Sequence, residues 1–243
     1  MFNIVIVDDY GLVSSEAFKI MRNTLQSSEH PVLGLATGSS PVGLYKKMIA
    51  DHNGNGTSYK KVTTFNLDEY IGIERNHEQS YYTFMHENLF DQIDIREENI
   101  HIPHGDREDM QAECIRYENE LKKHEIDLQV LGIGTDGHIG FNEPGTPFDS
   151  LTHIADLEEQ TRRDNARFFE DDINQVPRKA ITMGLASIMR AKKIIVIATG
   201  ENKANAVYGM VKGAKDPSCP ASILQDHDDV TVILDHAAAS RLG

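Results

Sequence analysis

A chain of 243 residues with 40% hydrophobic and 26% charged residues has the size and balance of a globular protein with a substantial core. Its formal net charge of −14 repels phosphodiester backbones, which argues against nucleic acid as a partner; a phosphorylated ligand would need a local cluster of cations and amides. The two cysteines, Cys114 and Cys219, make no disulfide scaffold, no apolar stretch approaches membrane-spanning length, and the run MFNIVIVDDY lacks the basic leader of a signal peptide, so a soluble cytoplasmic protein is expected.

Short apolar runs alternate with amphipathic segments. Phe2–Val7 reads as a strand, and Leu12–Leu25 has helical spacing through Leu12, Val13, Ala17, Ile20, Met21 and Leu25. Val32–Ala36 is a strand, Val42–Ile49 a helix and Val62–Leu67 a strand. Ser80 is placed to cap a helix over Tyr81–Phe90. Ala112–Lys122 is a further helix, and Ile126–Gly132 a strand apolar almost throughout, as expected where both faces are covered. A helix closes over Ile188–Ala191, and Ile194–Ala198 and Val230–Leu234 are late buried strands. The polar, Gly-rich stretch His52–Lys60 reads as a loop, as do Pro144–Thr152 and Gly213–Pro220. Strand and helix in alternation predict an α/β fold, a mostly parallel sheet with helices on both sides, whose ligands bind beyond the carboxyl ends of the strands. No internal repeat and no domain boundary is visible, so residues 1–243 read as a single domain.

Several segments carry chemistry at those strand ends. In LATGSSPVGLY a strand ends, Thr37, Gly38, Ser39 and Ser40 form a small-residue turn, and Pro41 opens a helix. The free amides of such a turn and the helix dipole favour an anion, although a plain strand–helix turn has the same composition. In LGIGTDGHIGFNEP, Gly132, Gly134 and Gly137 match the dinucleotide fingerprint, but Ile139–Gly145 is a poor helix start. Its side chains are more informative: Asp136, His138 and Glu143 lie close together in a glycine-rich loop, and a histidine flanked by carboxylates can cycle protons near neutral pH. Capping of backbone groups is the simpler alternative. In TFNLDEY, Asp68 and Glu69 follow directly on a strand, where a carboxylate serves as a general base or merely as a cap. Arg167 and Lys203 are surface charges taken singly; with the Thr37–Ser40 turn they can hold a phosphate. The pair His101-x-x-His104 hints at a metal, yet Pro103 and Gly105 mark a loop and no further ligand set is evident, so no metal and no cofactor are expected.

Taken together, LGLATGSSPVGLYKKM, TFNLDEYIGI, QSYYTFMHENLF, ENIHIPHG, LGIGTDGHIGFNEPG, TRRDNARFFEDD, QVPRKAITMG and PASILQ resemble the glucosamine-6-phosphate deaminase family, in the family's order and over nearly the whole chain. The resemblance implies a three-layer sandwich like that of sugar-phosphate isomerases, and conversion of glucosamine 6-phosphate and water to fructose 6-phosphate and ammonia in amino-sugar catabolism. It implies that Asp68 is the base moving a proton from C2 to C1, that His138 opens the sugar ring, and that Asp136 and Glu143 are its carboxylate partners. It also implies that Gly38, Ser39, Ser40, Arg167 and Lys203 clamp the phosphate. Some members have a longer C-terminus and an allosteric site for N-acetylglucosamine 6-phosphate; here His153 and Ala155 stand where those carry cations, so no such activation is expected, and a monomer or small homo-oligomer is. A lactonase on the same fold and a ligand-sensing domain without turnover are the rival readings. FNLDEY speaks against the first; the charge of −14 and the lack of room for a DNA-binding module before Phe2 speak against the second.

Overall fold

The computed structural model describes residues 2–243. Its strands and helices, in chain order, are β1 (Asn3–Val7), α1 (Tyr10–Ser27), β2 (Val32–Leu35), α2 (Val42–Asn55), β3 (Thr63–Asn66), β4 (Asp68–Tyr70), α3 (Tyr81–Asn88), β5 (Ile100–His101), α4 (Met110–Leu121), β6 (Leu128–Leu131), β7 (His153–Asp156), α5 (Glu159–Asn165), β8 (Lys179–Thr182), α6 (Leu185–Ile188), β9 (Ile194–Ala198), α7 (Ala204–Val211) and β10 (Val230–Asp235). Seven strands form one sheet in the order β1-β10-β9-β6-β2-β3-β5, and every adjacent pair is parallel. One face packs Leu33, Leu35, Leu128, Val130, Ile195 and Ile197 against α1, α2 and α3. The other packs Phe65, Leu131, Val196 and Val232 against α4, α6 and α7. This is the three-layer α/β arrangement expected from the alternation of apolar runs. No helix among the described residues is long and apolar enough to cross a membrane.

Local chemistry sets the element ends. Asp9 caps α1, its carboxylate accepting from Leu12 N–H at 2.8 Å, and Ser80 caps α3 as expected, accepting from Thr83 N–H at 3.0 Å. The reading of His52–Lys60 as loop is corrected: α2 runs on through Asn55 and closes on Gly56 at φ 73°. Asp51 stabilises this polar last turn by accepting from Asn55 Nδ2 at 2.6 Å and Thr57 Oγ1 at 2.5 Å. The helix read over Ile188–Ala191 is also corrected, since α6 ends at Ile188.

A second, antiparallel sheet in the order β4-β8-β7 was not foreseen. It pairs Asp68 with Thr182 and Ala155 with Ala180. The chain passes between the sheets in one residue: Leu67 N–H donates to the Leu35 carbonyl at 3.2 Å, and the Leu67 carbonyl accepts from Met183 N–H at 2.7 Å. Asp68 therefore sits where the two sheets meet, at the carboxyl end of the parallel one.

Gly105 lies against the far end of β4. A Cβ there would be 1.7 Å from the Tyr70 carbonyl oxygen, a backbone atom that cannot turn aside. Gly105→Ala is expected to lower stability by about 1–3 kcal/mol through overpacking, read as a lower urea midpoint at unchanged m-value.

Candidate active site

Four loops at the carboxyl end of the parallel sheet wall a cavity of about 590 Å³. The first follows β2. Gly38 adopts φ 84°, and a Cβ on it would meet nothing within 4 Å, so its backbone faces open space. Tyr10 braces this loop: its hydroxyl lies 2.9 and 3.2 Å from the Ser39 and Ser40 carbonyl oxygens and accepts from Gly43 N–H at 2.7 Å. Thr37, Gly38, Ser39 and Ser40 all line the cavity.

Asp68, the first residue of β4, lines the cavity while only 5% exposed. Burial, with the neighbouring Glu69 carboxylate adding to it, pushes its pKa well above the ordinary carboxylate value. Gly140, at φ 58°, leaves room beside it; a Cβ there would stand 3.0 Å from Thr182 Oγ1 and 3.4 Å from Asp68 Oδ2. Glu69 turns away from the cavity and accepts from the amides of Tyr70, Tyr81 and Tyr82 at 2.8, 2.9 and 3.0 Å. Burial raises it to about 7 in spite of those donors and Arg75. It thereby ties β4 to the first turn of α3.

The loop after β6 carries the histidine. His138 Nδ1 is 2.7 Å from Asp136 Oδ1 and 3.6 Å from Glu143 Oε2, and Asp136 Oδ1 accepts from the His138 amide at 3.0 Å. The two carboxyls differ. Burial pulls Asp136 upward, but the hydrogen bond and charge of His138 hold it below its ordinary value. Glu143 is raised by burial, with His138 opposing. Groups whose environments push their pKa values apart are suited to different protonation states at one pH. The glycines serve this turn and not a nucleotide: a Cβ on Gly134 would lie 2.3 Å from the His138 ring, and no helix follows, only turns and a bridge between Ile139 and Asn142.

The remaining walls come from the turn Ala166–Phe168 after α5 and the turn Glu201–Lys203 before α7. They bring Arg167 and Lys203 to the same cavity. Burial, with Arg167 contributing, holds Lys203 below its usual value, while Asp164 and Asp136 oppose this. Eight of the ten expected site residues thus line one cavity, and Asp136 and Glu143 stand behind His138. The sequence reading missed Tyr81 and Asn165, which also line it; Asn165 Nδ2 donates to the Tyr70 hydroxyl at 2.9 Å. The Ser80 cap was a usable signal for Tyr81, because it directs the start of α3 toward the strand ends.

Among the described residues, two groups place ligand atoms within 4.8 Å of one another: Asp136 with His138 and Glu143, and His101 with Glu120 and His124. His104, paired with His101 in the sequence reading, diverges to Arg75 Nη1 at 3.3 Å.

Residues 12–233 match the model of the glucosamine-6-phosphate isomerase/6-phosphogluconolactonase family. The chain belongs to this family. Glucosamine-6-phosphate deaminase of Clostridium novyi (strain NT) is 51% identical over 235 residues, 96% of this chain and 97% of that one. The protein of the same name from Halalkalibacterium halodurans is 52% identical over 231 residues, 95% of this chain and 94% of that one. Among solved structures, a monomeric glucosamine-6-phosphate deaminase superposes with a TM-score of 0.96 at 42% identity, covering 98% of this chain and 99% of that one. A 6-phosphogluconolactonase from Trypanosoma brucei, at 19% identity and a TM-score of 0.80 over all of this chain, shares the fold.

Glu69→Gln tests the link between β4 and α3. An amide nitrogen in place of one carboxylate oxygen faces a backbone donor, and stability is expected to fall by about 1–3 kcal/mol, read from the urea midpoint. The same variant is expected to lower kcat through the displaced Asp68.

Proposed function

We propose that this chain acts as a single catalytic domain that converts glucosamine 6-phosphate and water to fructose 6-phosphate and ammonia. The observation that carries the reading is the buried Asp68 carboxylate, which shares one cavity with His138, the Thr37–Ser40 turn, Arg167 and Lys203. The Gly38, Ser39 and Ser40 segment, with Arg167 and Lys203, holds the phosphate. Binding energy gathered there, remote from the reacting carbons, positions C2 over Asp68. His138, oriented by Asp136 and Glu143, moves the proton that opens the pyranose ring. Asp68 then takes the proton from C2 of the open chain and returns it at C1 through an enolamine. Water adds at C2 as ammonia leaves. A raised carboxylate pKa suits this base, because a stronger base near neutral pH abstracts a weakly acidic C–H proton more readily.

A lactonase would need no base over C2, and the lactonase likeness, at 19% identity, concerns the fold. A monomer, like the monomeric relative, or a small homo-oligomer is the proposed assembly. A doubly charged sugar phosphate does not cross a bilayer, which supports a cytoplasmic site of action in amino-sugar catabolism. The net charge of −14 speaks against nucleic acid.

Incubation with glucosamine 6-phosphate, assaying ammonia and fructose 6-phosphate together, tests the reaction; absence of ammonia at micromolar enzyme overturns it. Asp68→Asn is expected to abolish turnover nearly completely while substrate still binds. His138→Gln is expected to slow reaction of the cyclic sugar more than that of an open-chain analogue. Lys203→Ala is expected mainly to raise KM, and a loss confined to kcat contradicts its assignment to the phosphate. Because Asp68 acts ionised and its pKa is raised, kcat/KM is expected to fall as the pH drops through a value above the ordinary carboxylate range. An acid limb near the ordinary aspartate pKa of about 3.9 contradicts its role as base.

A further inference from the structure

The second cluster of ligand atoms lies away from the cavity, on the face of the parallel sheet covered by α4. His101 is the last residue of β5, the outermost strand on that side. Glu120 is in the last turn of α4, and His124 follows its end. The three donors converge within 4.8 Å of one another and all are partly buried, so solvent reaches them. None of the three lines the candidate active site.

The surroundings orient both imidazoles. The His101 ring stacks on Phe65 at 4.5 Å and 13°, and the His124 ring leans on the same phenyl at 5.3 Å. The two imidazole centroids stand 5.9 Å apart. Phe65 thus forms an apolar back wall, and the open side faces Glu120, whose Oε1 lies 3.8 Å from His124 Nε2. The other carboxylate oxygen is held by the exposed Lys123 at 2.6 Å, a surface pair worth little against a metal bond. The carboxyl end of α4 adds its negative dipole end to the site. Lateral support comes from the buried Tyr117, whose hydroxyl lies 2.5 Å from the Asn66 carbonyl and 3.3 Å from that of His101.

We propose that His101, Glu120 and His124 bind a divalent transition-metal ion of the zinc class, which staples the edge strand β5 to the end of α4. Two imidazoles and one carboxylate are a borderline-soft set that selects zinc, cobalt or nickel over magnesium and calcium. Bonds of about 2.0–2.2 Å require the donors to draw together, which side-chain rotation at a partly exposed helix end permits. Solvent supplies the remaining coordination position. The ion joins segments from the sheet edge and the outer helix layer, so its binding stabilises the folded chain by mass action.

The test titrates the full chain, stripped with EDTA, with CoCl2 and ZnCl2. One Co2+ per chain with visible d–d absorption is expected, together with a Tm that rises with Zn2+ concentration. His124→Ala and His101→Gln are expected to weaken this binding at least about 10–100-fold, the loss that removal of an outer-shell partner alone produces. Glu120→Gln, at the helix surface, gives the same direction should either histidine variant fail to fold. His138→Gln, which disrupts the other cluster, is expected to leave the Co2+ spectrum intact, and His124→Ala to keep the wild-type rate of ammonia release. Co2+ binding that is unchanged by all three substitutions, or that is lost only with His138→Gln, overturns the proposal.

Discussion

The chain changes sheets within a single residue, and the site depends on that passage. Leu67 gives its amide to the parallel sheet and its carbonyl to the antiparallel one, so the next residue is fixed from both sides. Asp68 is that residue. Its backbone is in register with Thr182 and its carboxyl is buried. Strand pairing on both sides sets its backbone, and a base pre-organised in that way, as proposed for Asp68, needs little ordering when substrate arrives. Glu69, one position on, points the opposite way and collects three amide donors. Adjacent residues of one short strand thus divide the work, one facing the cavity and the other fixing the helix that walls it.

The parallel sheet was legible because its strands are buried on both faces. Ile194–Ala198 is buried at every position, and such runs stand out against amphipathic neighbours. The small sheet was not legible. β4 has three residues, and HIAD and KAIT in β7 and β8 show no clear period; they become strands through partners distant in sequence. Asp68 alone resembled a cap, because the burial that changes its acidity comes from that long-range pairing. The polar tail of α2 misled for a local reason: Asp51 supplies hydrogen bonds that helix propensity does not register. The residues singled out as a candidate site, in contrast, mostly come together along one cavity, since loops at strand ends carry their chemistry in compact, side-chain-rich motifs. His101 is the counterexample. Its sequence neighbour His104 drew attention, whereas its spatial neighbours Glu120 and His124 come from a different element.

Electrostatics in this molecule works against its own substrate at long range. A chain of net charge −14 repels a sugar phosphate, so attraction has to be short-ranged. Arg167 and Lys203 supply the fixed positive charges of the cavity lining. Lys203 is partly desolvated, which strengthens its pull on an anion that displaces the remaining water. Asp136 and Glu143 are held back from the lining, beside the His138 imidazole.

Tyr10 is the first residue of α1, yet its hydroxyl occupies the Gly43 amide and meets the Ser39 and Ser40 carbonyls. The loop assigned to the phosphate is therefore braced from the amino-terminal side of the molecule, just beyond the outermost strand β1. The path from β1 through Asp9 into the first turn of α1 thus ends on that loop, so the edge strand and the loop share one side-chain anchor.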